Sequence, residues 1–178
     1  MVEAVVKAQE IRGWMSEEEL LWLYGTARKM NSIVELGCFC GRSTYVLCAG
    51  CPGTVYAADC HWCGTMYPFY EGAQYTRPEF DQYVGHFANL VPFEGNFMEA
   101  AVSDLIPAEF DMVFFDGDHS KESQLLDLQT WAHRAKKLVC GHDLDPSTPG
   151  IEQALQEFCG MQGVVRGPGK LWYIEKGD

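Results

Sequence analysis

The apolar run Phe110–Phe115 (FDMVFF) gives way at once to Asp116-Gly117-Asp118-His119-Ser120. An apolar run of this kind reads as a central strand of a parallel sheet, buried on both faces. Four more short runs have the same form: Ile33–Leu36 (IVEL), TVYAA ending at Asp59, VPFEG ending at Gly95, and KLVCG ending at Gly141. Helical patterns lie between them. Ser16-x-x-Glu19 is a capping box ahead of the stripe Leu20, Leu23, Tyr24 and Ala27, a helix that Asn31 ends. A second helix follows Gly41 and runs through Leu47. Thr76-x-x-Glu79, with Pro78 in the first turn, opens another towards Leu90. Leu125, Leu128, Ala132 and Ala135 stripe the next, and Gly150 to Phe158 form the last. GVVR and KLWYI flank Gly167-Pro168-Gly169, which predicts a terminal antiparallel hairpin. Strands alternating with helices over short links imply a doubly wound α/β sheet. The 178 residues are of a length for one domain, 1–178.

In such sheets ligands bind beyond the carboxyl ends of the strands, at the switch in strand order. The residues at those ends are Glu35–Gly41, Asp59–Trp62, Gly95–Phe97, Asp116–His119 and Gly141–Asp145. They are polar and acidic although the strands before them are apolar, and that contrast marks a site. Gly37 and Gly41 let backbone come close to a ligand. Their spacing is not the G-x-G-x-x-G of dehydrogenases. Asp59, ending the second strand, can accept hydrogen bonds from ribose hydroxyls. Together they favour a nucleoside.

Composition excludes other classes. With 25 acids against 13 bases the chain carries a formal charge of −12, which repels a polyanion, so no nucleic-acid partner is expected. The basic cluster Arg134, Lys136 and Lys137 is read as facing a helix end. No stretch approaches the roughly 18 apolar residues of a membrane span, and the N-terminal residues lack the apolar core of a signal peptide. The eight cysteines are therefore expected as reduced thiols in a cytoplasmic protein. Cys48-x-x-Cys51 and Cys60-x-x-Cys63 have zinc-like spacing, but they flank one strand and lie on the order of 20 Å apart, too far to share an ion.

The series E-x-G-x-x-x-G-R-S-T, a strand ending in Asp, FDMVFFDGDHS and KLVCGHDL resembles class I S-adenosylmethionine-dependent methyltransferases. Among these it is most similar to the small methyltransferase-domain group whose fourth strand ends in DGDH and whose fifth ends in HD. The likeness covers nearly the whole chain. It implies a Rossmann-like three-layer sandwich of seven strands in the order 3-2-1-4-5-7-6. It also implies S-adenosylmethionine as cofactor. By position Gly37, Cys38, Gly41 and Ser43 would line its methionine and ribose end, Glu35 would lie near the methionyl amino group, and Asp59 would hold the ribose. Asn96 and Phe97 would border the adenine, and Asp116 would lie beside the cofactor. Phe39 is a departure, bulky in a close-approach turn. The expected activity is O-methylation of a small-molecule hydroxyl; a non-catalytic cofactor binder or scaffold is the alternative.

Asp116, Asp118 and His119 follow one strand, and His142, Asp143 and Asp145 follow its neighbour, about 4.8 Å away. The clusters converge on one mouth, and three readings are open. A divalent ion such as Mg²⁺ could sit between Asp116 and Asp143 with His142 or water completing its shell. Catechol and caffeoyl-CoA O-methyltransferases are similar here, but have Asp-Asn where this chain has His142-Asp143. Alternatively, His119 or His142 is a metal-free general base. On that reading His142 is preferred, with one nitrogen bonded to Asp143 and the other facing the acceptor, and His119 positions the acceptor. Otherwise, Asp118 and Ser120 only cap the next helix. Trp62, Tyr67, Phe69, Tyr70 and Tyr75, in the loop after Asp59, suit a lid over the acceptor, or a subunit contact in a homodimer.

Overall fold

The computed structural model describes residues 2–60 and 75–177. Helices α1 (Val2–Glu10) and α2 (Glu17–Ala27) precede β1 (Ser32–Leu36). There follow α3 (Arg42–Gly50), β2 (Thr54–Asp59), α4 (Arg77–Val84), β3 (Leu90–Glu94), α5 (Phe97–Ala101) and β4 (Phe110–Phe115). The chain continues through α6 (Lys121–Trp131), β5 (Ala135–Gly141), α7 (Pro149–Cys159), β6 (Val165–Arg166) and β7 (Trp172–Glu175). The strands form one sheet in the order β3-β2-β1-β4-β5-β7-β6, as the resemblance implies. The first five are parallel, and β7 runs antiparallel to β5 and β6.

Apolar residues on the two faces of the strands divide the core. Ile33, Val55, Met112, Phe114 and Leu138 pack with Val5, Leu20, Leu23, Val46 and Leu47 of α1, α2 and α3. Val34, Val113, Phe115 and Val139 pack with Ala100, Leu128, Trp131, Ile151 and Leu155 of α5, α6 and α7. Each fully buried aliphatic or aromatic side chain contributes about 1.5–3 kcal/mol. Pro92 lies in β3, the edge strand, where a missing N–H is tolerated.

Helix boundaries differ from the sequence reading in places. The capping box at Ser16 and Glu19 forms, but α2 stops at Ala27 with Arg28 as its cap. α6 stops at Trp131; Ala132 begins a 3₁₀ turn and Ala135 begins β5, so the stripe spans three elements. α4 ends at Val84, and its first residue follows Thr76 without a side-chain cap. Glu79 instead meets Arg12 at 2.6 Å and the Cys40 thiol at 2.7 Å. α1 and α5 were not anticipated; α5 opens on a capping box of Asn96 and Glu99.

The basic cluster is consumed internally. Arg134 donates to the carbonyls of Ala101, Pro107 and Ala108, while Lys136 and Lys137 pair with Glu109 and Asp111. Cys48 and Cys51 are buried, and all seven described cysteines are free thiols. Trp62, Tyr67, Phe69, Tyr70 and Cys63 lie outside the described residues; Tyr75 is 55 % exposed. Among the described residues no helix is long and apolar enough to cross a membrane.

Candidate active site

Parallel strands ending in glycine and acid leave a cavity of about 780 Å³ at their carboxyl ends. Its floor is the turn after β1. Gly37 adopts φ +91°, and a Cβ there would lie 2.2 Å from the Asp116 carbonyl oxygen, so glycine lets the turn rest directly on the end of β4. Asp59 secures this turn from β2: one carboxylate oxygen accepts the amides of Cys38 and Phe39, both at 2.8 Å. Asp59 also lines the cavity, with that one oxygen engaged in holding backbone. Phe39 takes φ +48° and packs at the mouth against Trp14, the rings tilted with centroids 5.0 Å apart.

Cys38, Ser43, Asn96, Phe97 and Asp116 line the cavity as the sequence implied. Two residues do not. Gly41, at φ +93°, caps α3, and its missing side chain makes room for Phe80 and Val84 of α4. Glu35 is fully buried beneath the turn, where Thr44 donates to it at 2.6 Å and, among the described residues, its other oxygen has no hydrogen-bond partner. Burial pushes its pKa up to about 7, against hydrogen bonds that favour the charge.

The DGDH and HD segments converge as expected. His142 is 4 % exposed. Its Nδ1 lies 3.2 Å from an Asp143 oxygen and 3.6 Å from an Asp116 oxygen, and its Nε2 lies 3.0 Å from Glu19 Oε1. Burial opposes its charge, but hydrogen bonds to Asp116, Asp143 and Glu19 carry its pKa up to about 11. This corrects the reading of His142 as a metal-free base: the nitrogen meant to face the acceptor belongs to Glu19. His119 is more open, at 39 % side-chain exposure, and its Nε2 lies 3.0 Å from the same Asp143 oxygen. The hydrogen bond to Asp143 raises its pKa. Both imidazoles hold Asp143 well below the usual carboxylate range despite burial. Asp143 itself sits at φ +59°, a conformation few non-glycine residues adopt. Asp118 accepts the Ser120 amide and Ser120 caps α6, so helix capping coexists with the cluster.

Glu19 was legible only as a capping residue. It accepts from the Ser16 amide and hydroxyl, the Lys170 amide at 2.7 Å, and His142. Burial raises its pKa, but these partners prevail and hold it at about 2. One oxygen of Asp116, one of Asp143 and one nitrogen of His142 lie within 4.8 Å of one another, a donor set that fits a divalent ion. A histidine ligand whose second nitrogen is held by a carboxylate is a recurrent arrangement in metal sites, and Glu19 supplies that carboxylate. Arg42 anchors the approach to α2, donating to the carbonyls of Gln9, Ile11 and Met15 and so setting Trp14 at the mouth.

A doubly wound sheet with a glycine turn, an acid after β2 and a polar cluster beyond β4 and β5 defines a nucleoside-binding enzyme fold of the Rossmann-like class. The family model described as a methyltransferase domain matches residues 34–144, more than half of the chain, and the protein belongs to this family. No curated protein matches. Solved structures do. An O-methyltransferase from Bacillus cereus in complex with SAH is 15% identical, with TM-score 0.66 over 98% of this chain and 90% of that one. A SAH-bound methyltransferase from Podospora anserina is 18% identical, with TM-score 0.66 over 99% and 87%. The O-methyltransferase TomG from Streptomyces achromogenes, involved in tomaymycin synthesis and solved with SAM, is 15% identical, with TM-score 0.62 over 99% and 89%. The shared fold is that of Rossmann-like methyltransferases.

Proposed function

We propose that the protein transfers a methyl group from S-adenosylmethionine to a hydroxyl of a small-molecule acceptor, with a divalent cation at the acceptor end. The observation that carries this is one continuous cavity with the glycine turn along one side and the Asp116–His142–Asp143 donor set at the other. Family membership and the SAH- and SAM-bound neighbours support the cofactor. S-adenosylmethionine supplies an already activated methyl group on its sulfonium. The protein must align the acceptor and manage its proton. Gly37, Cys38 and Ser43 shape the floor, and Asn96 and Phe97 close the far side. Asp116, His142 Nδ1 and Asp143 would hold the cation, which lowers the pKa of a bound hydroxyl. Glu19 keeps the His142 ring in register. His119, part exposed at the mouth, would receive the acceptor proton, a role the sequence reading gave to His142. A small acceptor suits the cavity, which the cofactor shares, and the net charge of −12 disfavours nucleic acid. The free thiols of the described cysteines are in keeping with a cytoplasmic setting.

Calorimetry with S-adenosylhomocysteine and NADH, then methyl transfer to a panel of small hydroxyl compounds, tests this reading. Binding of S-adenosylhomocysteine well ahead of NADH is expected. Turnover is expected to vanish in chelator and return with a divalent ion. Tighter NADH binding would overturn the methyltransferase reading, and full turnover in excess chelator would overturn the metal.

A further inference from the structure

The roles assigned so far leave Asp127 without a task. It lies mid-way along α6, on the buried face with Gln124, Leu128 and Trp131. It is 8 % exposed, and it lines the cavity beside Ser123. Among the described residues its carboxylate takes no hydrogen bond and no ion pair, and its charged neighbour, Asp118, has the same sign. Burial first, and Asp118 second, push its pKa up to about 7. An aspartate is a modest helix former, and a buried carboxylate without a donor is costly. Leu128 and Trp131 on the same face pack against the sheet, whereas Asp127 opens into the cavity. A ligand that brings a donor accounts for it.

Resting on S-adenosylmethionine as cofactor, the choice of donor is narrow. The cofactor carries N–H groups at two ends, the methionyl ammonium and the adenine amino group. Asp127 stands on the α5–α6 side of the sheet, where Phe97 and Asn96 open α5. There the Phe97 ring lies against Gly117, so closely that a Cβ on Gly117 would come within 2.7 Å of it. A flat apolar wall with polar groups at its edge suits a purine, not an ammonium ion. We infer that Asp127 accepts a hydrogen bond from the exocyclic amino group of adenine, and that it determines the base specificity of the cofactor site. At pH 8, where Asp127 is ionised, a 6-oxo purine sets a carbonyl oxygen against the carboxylate in place of that amino group and loses this contact.

Calorimetry with three ligands separates the alternatives: S-adenosylhomocysteine, its 6-oxo analogue S-inosylhomocysteine, and 5′-methylthioadenosine, which lacks the ammonium. The wild-type protein is expected to prefer S-adenosylhomocysteine over the inosyl analogue by on the order of 10-fold or more, the scale of a hydrogen bond to a charged group. Asp127→Asn and Asp127→Ala should bring that ratio close to one. Both should weaken 5′-methylthioadenosine by the same factor as S-adenosylhomocysteine. Both variants should melt at or above the wild-type temperature, because each removes a lone buried charge. An unchanged ratio in both variants overturns the inference. A loss confined to S-adenosylhomocysteine overturns it too, by giving Asp127 to the ammonium. Failure of both variants to fold would show a structural partner, with the same result, while S-adenosylhomocysteine binding by the wild-type protein would still stand as evidence for the cofactor.

Discussion

At the scale of single residues, the site is governed by a glutamate that carries two structural duties. Glu19 closes the capping box of α2 and also holds Nε2 of a histidine 123 residues away. The first duty follows from local spacing and is visible in Ser16-x-x-Glu19. The second depends on which end of the sheet α2 packs against, which local spacing does not encode. His142 has an Nε2 partner hidden for the same reason. Its neighbour Asp143 is adjacent in sequence and could be foreseen as a partner; Glu19 could not. Glu19→Gln keeps the shape but exchanges one carboxylate oxygen for an amide group, so His142 is held less firmly. Affinity for Mn²⁺ or Zn²⁺, measured by calorimetry, should fall by roughly 10–100-fold, the usual cost of losing a carboxylate behind a ligand. Circular dichroism should remain that of the wild type. Unaltered ion affinity would remove Glu19 from the site.

Among the elements, the turn from β1 to α3 shows how much a short motif can and cannot reveal. Gly37 and Gly41 look equivalent in E-x-G-x-x-x-G, and both have positive φ. Their surroundings differ. A Cβ on Gly37 meets backbone at 2.2 Å, whereas a Cβ on Gly41 meets the side chains of Phe80 and Val84 at 3.1–3.2 Å. Side chains can shift and the end of a central strand cannot. Gly41→Ala should therefore cost about 1–3 kcal/mol, chiefly for its backbone conformation. Gly37→Ala should cost more than about 3 kcal/mol and abolish S-adenosylhomocysteine binding. Urea unfolding of the two variants gives the comparison, and equal losses would contradict it. The strands were legible because buried parallel strands are short apolar runs. The helix ends were less so, since the stripe from Leu125 to Ala135 keeps its apolar character through a 3₁₀ turn into β5. α5 has only five residues, too few to show a period in the sequence.

For the molecule as a whole, the buried acids set an unusual response to pH. Glu35 and Asp127 have folded pKa values of about 7, above their unfolded values, so the folded state binds protons that the unfolded state releases. Each therefore subtracts stability as pH rises from the ordinary carboxylate range to about 7. His142, raised to about 11, contributes stability that is complete below its ordinary value of 6.5 and is lost as pH rises towards 11. Glu19, lowered to about 2, contributes above its ordinary 4.5 and fails as pH falls towards 2. In chelator, the melting temperature should thus be greatest near pH 5 and decline through neutrality to pH 9. A profile flat across that range would contradict these assignments; Asp127→Asn should lessen the decline. Finally, the Glu19 carboxylate joins segments 151 and 123 residues apart, Lys170 of the β6–β7 loop and His142. Contacts so distant along the chain are slow to close. The support that Glu19 gives the donor cluster is therefore expected to complete late in refolding, and cation capture followed against time would report it.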